Sequence, residues 1–366
     1  MAPKSQHDCE ANFVSLSVYE LTRKLIDIPS VSGHEKAVAL FLKSHLEGLG
    51  YVVHMQEVQD VASENERFNV IAATGVPPRV VLSTHMDTVP PHIISSENEE
   101  RIFGRGACDA KGIIAAQIMA AERLREEGLD TIGLLFTVDE EQASLGAAIA
   151  NKYHKEQPPQ YLINGEPTDN KLASATKGSL RLEIRTRGRA AHSAYPEQGE
   201  SAIEKMLDVL ESIRKCEWPV DEVLGPTTCN IGVIGGGTRP NVVAEEASAV
   251  LQVRLVSEAG PVKKILEDAI AGRAAVKYLS EHKPVRLHTI AGFKQCIVRF
   301  TTDIPYLSTW GTPLLLGPGS ILNAHTDHEF VEKQELTEAI DLYAGLVRQL
   351  LALQLREREA VEGVSR

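Results

Sequence analysis

The chain has 366 residues, of which 43% are apolar and 24% are charged, and its net charge is −12 at pH 7. This composition is typical of a soluble globular protein, and the length predicts either one large domain or two. Acidic residues number 50 against 38 Lys and Arg, and no polybasic run interrupts them. The sequence therefore argues against a nucleic-acid-binding protein and against binding to an anionic membrane surface.

The N-terminal segment and the cysteines predict a cytoplasmic location. The segment MAPKSQHDCEANF has no apolar core of a signal peptide, and no stretch approaches the ~18 consecutive apolar residues of a transmembrane helix. The five cysteines are odd in number and form no CxxC pair. Free thiols in a reducing compartment are therefore expected.

The first half of the chain alternates helices with apolar strands. One helix is predicted to end near Pro29, and a second to begin at Ser32, with Glu35 completing a capping box. Predicted strands follow in RVVLSTH, TIGLLFTV and QYLING, separated by helices over GIIAAQIMAAERLREEG and around SLGAAIANKY. This rhythm predicts an α/β fold whose central sheet is mainly parallel and flanked by helices.

The pattern changes near Lys177, where SLRLEIRTRGR alternates apolar and polar residues as a half-exposed antiparallel strand does. A helix, the strands TCNIGVIGGG and ASAVLQVRLV, a helix around VKKILEDAI and a strand near VKYLSEHKPVRLHT follow. The order βαββαβ predicts a small α+β, ferredoxin-like domain inserted into the larger one. The predicted boundaries are 1–176 and 290–366 for the larger domain and 177–289 for the insert.

Ionisable side chains follow several predicted strands or glycine-rich turns. The carboxyl ends of parallel strands share one edge of a sheet, where ligands bind. Carboxylates gathered there would repel one another at a cost of several kcal/mol each, unless a cation is bound. The candidates are His85 with Asp87 in STHMDTVPP, Asp109 in GRGACDAKG, Asp139, Glu140 and Glu141 in VDEEQ, Glu166 in NGEPT, and His325 in NAHTDHE.

The predicted ligand set contains two imidazoles and three carboxylates. Such mixed nitrogen and oxygen ligands suit Zn²⁺, with Co²⁺ or Mn²⁺ as alternatives. Five ligands serve two ions if one carboxylate bridges them, and Asp109 is the expected bridge because its glycine-rich surroundings permit close approach. Asp87, two residues after His85, is expected to accept a hydrogen bond from the other ring nitrogen and to fix the tautomer.

Each site has an ordinary alternative explanation. Acidic residues such as Glu140 and Glu141 favour the start of a helix, Glu166 is equally typical of a loop, and His325 is equally typical of a surface. A lone His-x-Asp pair is a weak signal. The placement of all these sites after successive strands is what favours a metal centre.

Seven segments match a known family in order. They are STHMDTVP, GRGACDAKG, FTVDEEQASLGA, NGEPT, KGSLRLEIRTRGRAAHSAYPEQGESAI, GGGTRPNVV and LGPGSILNAHTDHEFV. From about residue 18 to residue 352 the chain resembles the acetylornithine deacetylase / succinyl-diaminopimelate desuccinylase family. These are co-catalytic zinc hydrolases, and their superfamily includes aminoacylases and dipeptidases. The resemblance implies a catalytic zinc domain interrupted by a lid domain that commonly mediates dimerisation.

The resemblance implies roles for the metal ligands. His85, Asp109 and Glu166 would hold one zinc ion, and Asp109, Glu141 and His325 would hold the other. Glu140 would be the general base. Asp87, which is expected from its spacing to orient His85, is counted with the catalytic residues. Ala110 and Ala143 depart from the Met and Gly that the family often has at these positions, but neither departure removes a ligand.

The resemblance also implies roles in the inserted domain. His192 in AAHSAYP would reach the reaction centre, often from the partner subunit. Asn241 in RPNVV and Arg254 in VRLV would bind the substrate. Without the resemblance, all three residues are typical of an ordinary loop, turn or strand.

The implied activity is hydrolysis of the amide bond of an N-acyl amino acid, with N-acetylornithine as the first substrate to test. Alternatives within the family are desuccinylation of succinyl-diaminopimelate and dipeptidase or carboxypeptidase activity. A catalytically silent binding protein on the same fold is disfavoured, because all five ligand positions and Glu140 are present. The expected partners are a small-molecule substrate and a second copy of the chain, bound through the inserted domain.

Overall fold

The computed structural model describes residues 16–59, 65–153 and 157–364, with side chains described as far as residue 353. Cys9 and the segment tested for a signal peptide lie outside these residues. The chain divides into two compact units. Unit 1 comprises Met1–Leu172, Ile290–Lys294 and Tyr306–Arg366, and unit 2 comprises Ala173–Thr289 and Gln295–Pro305.

The helices and strands are numbered in chain order within the described residues. The helices are α1 (Val18–Asp27), α2 (Lys36–Gly48), α3 (Lys111–Glu126), α4 (Leu145–Ala150), α5 (Ala202–Arg214), α6 (Ala259–Ile270) and α7 (Lys333–Val364). The strands are β1 (Val52–Glu57), β2 (Phe68–Ala73), β3 (Val80–His85), β4 (Ser96–Glu97), β5 (Arg101–Phe103), β6 (Ile132–Thr137), β7 (Tyr161–Asn164), β8 (Leu172–Thr176), β9 (Gly178–Arg187), β10 (Val220–Asp221), β11 (Gly225–Pro226), β12 (Thr228–Gly236), β13 (Glu246–Leu255), β14 (Ala275–His282), β15 (Val285–Arg286), β16 (Gln295–Val298), β17 (Thr312–Leu315) and β18 (Phe330–Glu332).

Unit 1 is built on a six-stranded sheet in the order β1-β2-β6-β3-β7-β17. Strands β6, β3, β7 and β17 run parallel, and β1 and β2 extend one edge in antiparallel pairing. Every residue of β3 and β6 is buried, as expected of central strands covered on both faces. The predicted α/β fold with a mainly parallel central sheet is therefore confirmed.

The starts of the first two helices differ from each other. Helix α1 begins with a capping box formed by Ser17 and Glu20. The capping box predicted at Ser32 is wrong, because α2 begins only at Lys36 and has no side-chain cap. The Ser32 hydroxyl instead donates to Asp87 at 2.7 Å, and the buried Glu35 accepts the amide N–H of Gly33 at 2.9 Å.

Unit 2 contains a four-stranded antiparallel sheet in the order β12-β13-β9-β14. The chain order β9-α5-β12-β13-α6-β14 matches the predicted ferredoxin-like βαββαβ pattern. Burial alternates along β13, and apolar residues of α5 and α6 share a core with the inward-facing residues of β9 and β13. Each strand thus buries one face against helices, which accounts for the alternation in the sequence.

The first segment of unit 2 ends at Thr289, which coincides with the sequence-based boundary at 289, whereas its start differs from the boundary at 177. The unit begins at Ala173 and also includes Gln295–Pro305. The reason is a three-stranded sheet in which β8 lies between β15 and β16. This sheet joins segments that are more than a hundred residues apart in sequence, so its pairing has no local signal.

Among the helices that the structure describes, none combines the length and the apolar character that a membrane span requires.

Candidate metal centre

His85 occupies the last position of β3, in the middle of the parallel sheet. The register pairs it with Thr137, the last residue of β6. Its side chain is 1% exposed, and its Nδ1 lies 3.0 Å from the backbone carbonyl of Asp87. If Nδ1 carries the hydrogen and donates to that carbonyl, Nε2 is left to act as a ligand toward the centre of the site.

The carboxylate of Asp87 has partners besides His85 that were not predicted from the sequence. It lies 3.5 Å from Nδ1 of His85, so the carbonyl oxygen of Asp87 is the nearer acceptor. Its two oxygens accept the backbone N–H groups of Glu140 at 3.0 Å and Glu141 at 3.2 Å. Asp87 therefore joins the end of β3 to the segment that carries the predicted base.

Asp109 lies between the two histidines. Its Oδ1 is 2.9 Å from Nε2 of His85, and its Oδ2 is 3.4 Å from Nε2 of His325. Nε2 of His325 is also 3.0 Å from Oε1 of Glu141. One potential ligand atom from each of His85, Asp109 and Glu141 lies within 4.8 Å of the others. The geometry thus brings four of the five predicted ligands together.

Glu166, the fifth predicted ligand, follows β7. The amide N–H of Gly165 donates to the carbonyl of Ser83 at 2.7 Å, and the Thr84 hydroxyl donates to the carbonyl of Gly165 at 2.8 Å. These bonds hold the segment against the end of β3, next to His85. Glu166 is buried at 3% exposure, and its negative charge contributes to the raised pKa of His85.

The pKa values of the cluster reflect its excess of carboxylates. Burial opposes protonation of His85, but hydrogen bonds to Asp109 and Asp87 and the charge of Glu166 raise its pKa well above the usual value. Hydrogen bonds to Asp109 and Glu141 raise the pKa of His325 to about 10. The cluster therefore attracts positive charge, which protons or divalent cations can supply.

The donor set fits divalent metal ions. It offers two imidazole nitrogens and carboxylate oxygens, with no thiolate among them, and this combination suits Zn²⁺, Mn²⁺ or Co²⁺. Burial raises the pKa of Glu141, and the neighbouring charge of Asp109 raises it further. Since like charges at such short range are costly, a bound cation would stabilise the arrangement.

A buried arginine shapes the turn that carries Glu140 and Glu141. Nη1 of Arg67, which is 1% exposed, donates to Oδ1 of Asp139 at 2.9 Å. Asp139 has a φ of 68°, and its carbonyl accepts the N–H of Ser144 at 2.7 Å. Sequence reasoning missed Arg67, because nothing in ENERFNV marks it as a partner of a residue 72 positions away.

His192 and Asn241 lie side by side in unit 2. The amide N–H of Ser193 donates to the carbonyl of Asn241 at 3.0 Å, and His192 forms a bridge with Val242. His192 is exposed, and its Nδ1 accepts the N–H of Ala194 at 3.1 Å. With Nδ1 acting as an acceptor, Nε2 is the ring nitrogen that can donate a hydrogen bond to a ligand.

Arg254 lies far from this pair within unit 2. It pairs with Ser179 and Thr228 near the end of β13, whereas Ala247 near the start of β13 pairs with Gly236. Seven residues separate Ala247 from Arg254, which corresponds to about 23 Å along a strand. The segment with His192 and Asn241 continues from the start of β13, so unit 2 does not gather its three predicted functional residues in one place.

The fold and the metal cluster agree with a comparison of sequences. The model of a family described as peptidase family M20/M25/M40 matches residues 81–349, well over half of the chain. The chain belongs to the M20/M25/M40 peptidase family. Its enzyme class is therefore metallopeptidase, a coarser assignment than the acetylornithine deacetylase branch predicted from the motifs.

Relatives of this M20/M25/M40 peptidase match most of its length. A peptidase M20 domain-containing protein of Schizosaccharomyces pombe is 37% identical over 340 residues, covering 90% of this chain and 84% of the relative. A probable carboxypeptidase of Ajellomyces capsulatus is 36% identical over 376 residues, covering 91% and 86% respectively. Neither name specifies a deacetylase.

Solved structures share the fold of this peptidase. A tripeptidase from Staphylococcus aureus has a TM-score of 0.72 at 20% identity, covering 90% of this chain and 95% of the other. A Bacillus subtilis protein described as a dinuclear metal binding peptidase from the M20 family has a TM-score of 0.65 at 15% identity, covering 92% and 98%. At these identities the likeness shows a common fold.

Proposed function

We propose that this metallopeptidase hydrolyses the amide bond next to a free α-carboxylate in small peptides and N-acyl amino acids, using two divalent ions. The observation that carries the proposal is the position of Asp109. Each of its carboxylate oxygens faces a different histidine, Oδ1 toward His85 and Oδ2 toward His325. A carboxylate shared in this way is suited to bridging two ions.

The five predicted ligands divide into two sets around Asp109. His85 and Glu166 would complete one site, and Glu141 and His325 would complete the other, with Zn²⁺ as the expected ion. Bound divalent ions would polarise the substrate carbonyl and lower the pKa of a water molecule toward neutrality. The dinuclear description of the Bacillus subtilis peptidase of the same fold supports this stoichiometry.

Glu140 is the proposed general base. Its backbone N–H is held by Asp87, and the next residue, Glu141, belongs to the cluster. The Glu140 carboxylate would accept a proton from the attacking water and deliver it to the leaving amine nitrogen. One carboxylate thus serves as base and then as acid, which conserves protons over the cycle.

His192 is the proposed donor to the developing oxyanion. Its Nδ1 is occupied by the N–H of Ala194, so Nε2–H is the group that can donate. A fixed donor of this kind stabilises the tetrahedral intermediate more than the substrate. The exposed position of His192 in unit 2 is consistent with a role at a surface that meets the substrate.

Arg254 and Asn241 are the proposed substrate-binding residues. A planar guanidinium can hold an α-carboxylate through two parallel hydrogen bonds. Since Arg254 and Asn241 are separated by most of the length of β13, about 23 Å or more, one small substrate cannot contact both in a single copy. We therefore propose that each active site takes Arg254 from one copy of the chain and His192 with Asn241 from a second.

The proposed homodimer has a suitable surface on unit 2. Strand β12 lies at an edge of its sheet and presents Val233 at 61% and Ile234 at 53% exposure. Leu207 on α5 is 49% exposed and lines the same shallow depression as Ile234. An exposed apolar edge strand favours pairing with another chain.

We propose N-acetylornithine or a related small molecule as the substrate. Resemblance of the motifs favours N-acetylornithine, with succinyl-diaminopimelate as the alternative. The probable carboxypeptidases among the relatives favour peptides with a free carboxyl terminus. All of these substrates share an α-carboxylate next to an amide bond. The cytoplasmic location likewise stays a prediction.

The test combines metal analysis with matched substrates. We expect two Zn²⁺ or Co²⁺ ions per chain and hydrolysis within a panel of N-acetylornithine, N-succinyl-diaminopimelate, N-acyl amino acids and dipeptides. Replacing the α-carboxylate of the preferred substrate by a carboxamide should lower kcat/KM by about 10–100-fold, because a charge-assisted bond to Arg254 is lost. Equal turnover of both forms, or a fully metal-loaded protein that cleaves none of the panel, would overturn the proposal.

A further inference from the structure

A buried ion pair outside the predicted ligand set lies beside the metal centre. Nη1 of Arg105 donates to Oε2 of Glu329 at 2.8 Å, and the two side chains are 2% and 0% exposed. Burying two charges is unfavourable unless further hydrogen bonds satisfy them. The remaining partners of the pair therefore indicate what it does.

Glu329 holds the loop that carries Asp109. Its Oε1 accepts three backbone N–H groups, those of Gly106 at 3.0 Å, Cys108 at 3.2 Å and Asp109 at 3.2 Å. The Cys108 thiol lies 3.6 Å from the same oxygen. Three amides converging on one carboxylate oxygen fix the backbone conformation from which the Asp109 side chain projects.

Arg105 holds two other segments. Its Nη1 donates to the carbonyl of Thr326 at 3.0 Å, and its Nε donates to the carbonyl of Pro91 at 3.3 Å. Thr326 directly follows His325, and Pro91 lies four residues after Asp87. The ion pair thus connects the segments that follow β3, carry Asp109 and carry His325.

The oxygens of Glu329 are directed at protein donors, and the structure places the residue outside the cluster of ligand atoms formed by His85, Asp109 and Glu141. A metal ion would compete with the amides and the guanidinium for these oxygens. Glu329 therefore acts on the centre through Asp109 and through the Arg105 contact to Thr326.

We infer that Arg105 and Glu329 are positioning residues that set the metal affinity of the centre by fixing Asp109 relative to His325. The inference rests on the proposed two-metal function. A purely structural ion pair would stabilise the fold without changing the affinity for metal ions. Arg105 and Glu329 are instead expected to change that affinity.

The test is a titration of the metal-free full-length protein with Co²⁺ in competition with a chelator. The variant Glu329→Gln keeps the size of the side chain, but it replaces one carboxylate oxygen by an NH₂ group. This NH₂ group would face N–H donors of the Asp109 loop or of Arg105, with which it cannot form the same hydrogen bonds. We expect the variant to bind at least one of the two Co²⁺ ions with about 10–100-fold lower affinity, as is typical when a metal ligand loses a hydrogen-bonding partner. Activity should recover at saturating Co²⁺, since no group that touches the substrate is changed.

Glu332→Gln is the matched control. Glu332 lies on strand β18, three residues after Glu329, and pairs with Arg101 at 3.2 Å, but both side chains are about 40% exposed. Its Co²⁺ affinities should stay within about twofold of wild type. Wild-type affinities for both equivalents in Glu329→Gln would overturn the inference. A wild-type protein that takes up no Co²⁺ would overturn the proposed function itself, and the inference with it.

If Glu329→Gln does not fold, amide hydrogen exchange tests the positioning role of Glu329 and Arg105 instead. In the metal-free wild-type protein, the amide protons of Gly106, Cys108 and Asp109 should exchange slowly with solvent, because a buried carboxylate holds them. Arg105→Lys, which keeps the positive charge but loses the guanidinium fork, should speed this exchange and weaken Co²⁺ binding. Exchange in the wild-type protein as fast as in an exposed loop would overturn the inference.

Discussion

Three of the five predicted metal ligands of unit 1 are buried, whereas none of the three predicted recognition residues of unit 2 is. His85, Asp109 and Glu166 are at most 5% exposed, and Nε2 of His85 lies 2.9 Å from Oδ1 of Asp109. His325 is the exposed member of the set, with a side chain that is 47% exposed. His192 and Asn241 are exposed, and Arg254 lies at the other end of β13. The reactive groups are thus assembled within one unit, whereas the recognition groups of a single unit 2 are not assembled.

This difference has a physical basis. Several carboxylates can be buried together only if their positions are fixed and their charge is balanced, so the metal centre needs a dense set of supports. Groups that bind and release a substrate gain from exposure, since they must exchange their contacts with water. The comparison predicts that variants in unit 1 change metal binding or chemistry, whereas variants in unit 2 leave metal binding intact.

The largest effect is expected for Glu140→Gln. The amide cannot accept a proton, so kcat should fall by about 10²–10⁴-fold, while the protein still binds two ions per chain. Steady-state kinetics and metal analysis of the same sample measure both quantities. Gln142→Ala, an exposed position in the same turn, is the control and should keep wild-type kcat. Loss of metal together with activity would show that base and metal centre are not separable.

A smaller effect is expected for His192→Ala. Loss of one donor to the oxyanion should lower kcat by about 10²–10³-fold without changing metal content. If sites are shared between two copies, mixing equal amounts of this variant and Glu140→Gln should restore about a quarter of wild-type activity, because half of the dimers are mixed and each has one intact site. Absence of recovery, despite demonstrated exchange of subunits, would place His192 in the same copy as the metal centre it serves.

The smallest effect is expected for a change at Glu35, a buried carboxylate near Arg67, and it concerns the stability of the fold. Glu35 lies 3.8 Å from Arg67, which holds Asp139. Burial is the main cause that raises its pKa to about 7. Since the folded-state pKa exceeds that of the unfolded chain, the stability contributed by the protonated group is complete below about pH 4.5 and is lost as pH rises through about 7.

Glu35→Gln should remove this dependence, because the amide does not ionise. Relative to wild type, the free energy of unfolding of the variant should rise by on the order of 2–3 kcal/mol between pH 4.5 and pH 8. Urea unfolding of the metal-free proteins at both pH values measures it. The control is Glu47→Gln, an exposed change on α2. An equal difference from wild type at both pH values would contradict the assignment.

Residues that follow strands could be predicted as ligands because they obey a local rule. His85 is the last residue of the buried strand β3, Glu166 lies two residues after β7, and parallel strands bring their carboxyl ends to one edge. The partners of these ligands could not be predicted in the same way. Arg67 lies 72 residues from Asp139, and Glu329 lies 220 residues from Asp109. Such pairs have no spacing that a reader of the sequence can recognise.

The sequence by itself determined the α/β and ferredoxin-like patterns and the identity of the candidate ligands, because hydrophobic periodicity and strand ends are local properties of the chain. The tertiary structure decided which groups support those ligands. In the structure, Asp87 accepts hydrogen bonds from the amides of Glu140 and Glu141. Helix α2 begins at Lys36, and β8 pairs with β15 and β16. These outcomes depend on hydrogen bonds that buried polar groups form with whatever partner the fold brings within reach, and only the folded chain specifies that partner.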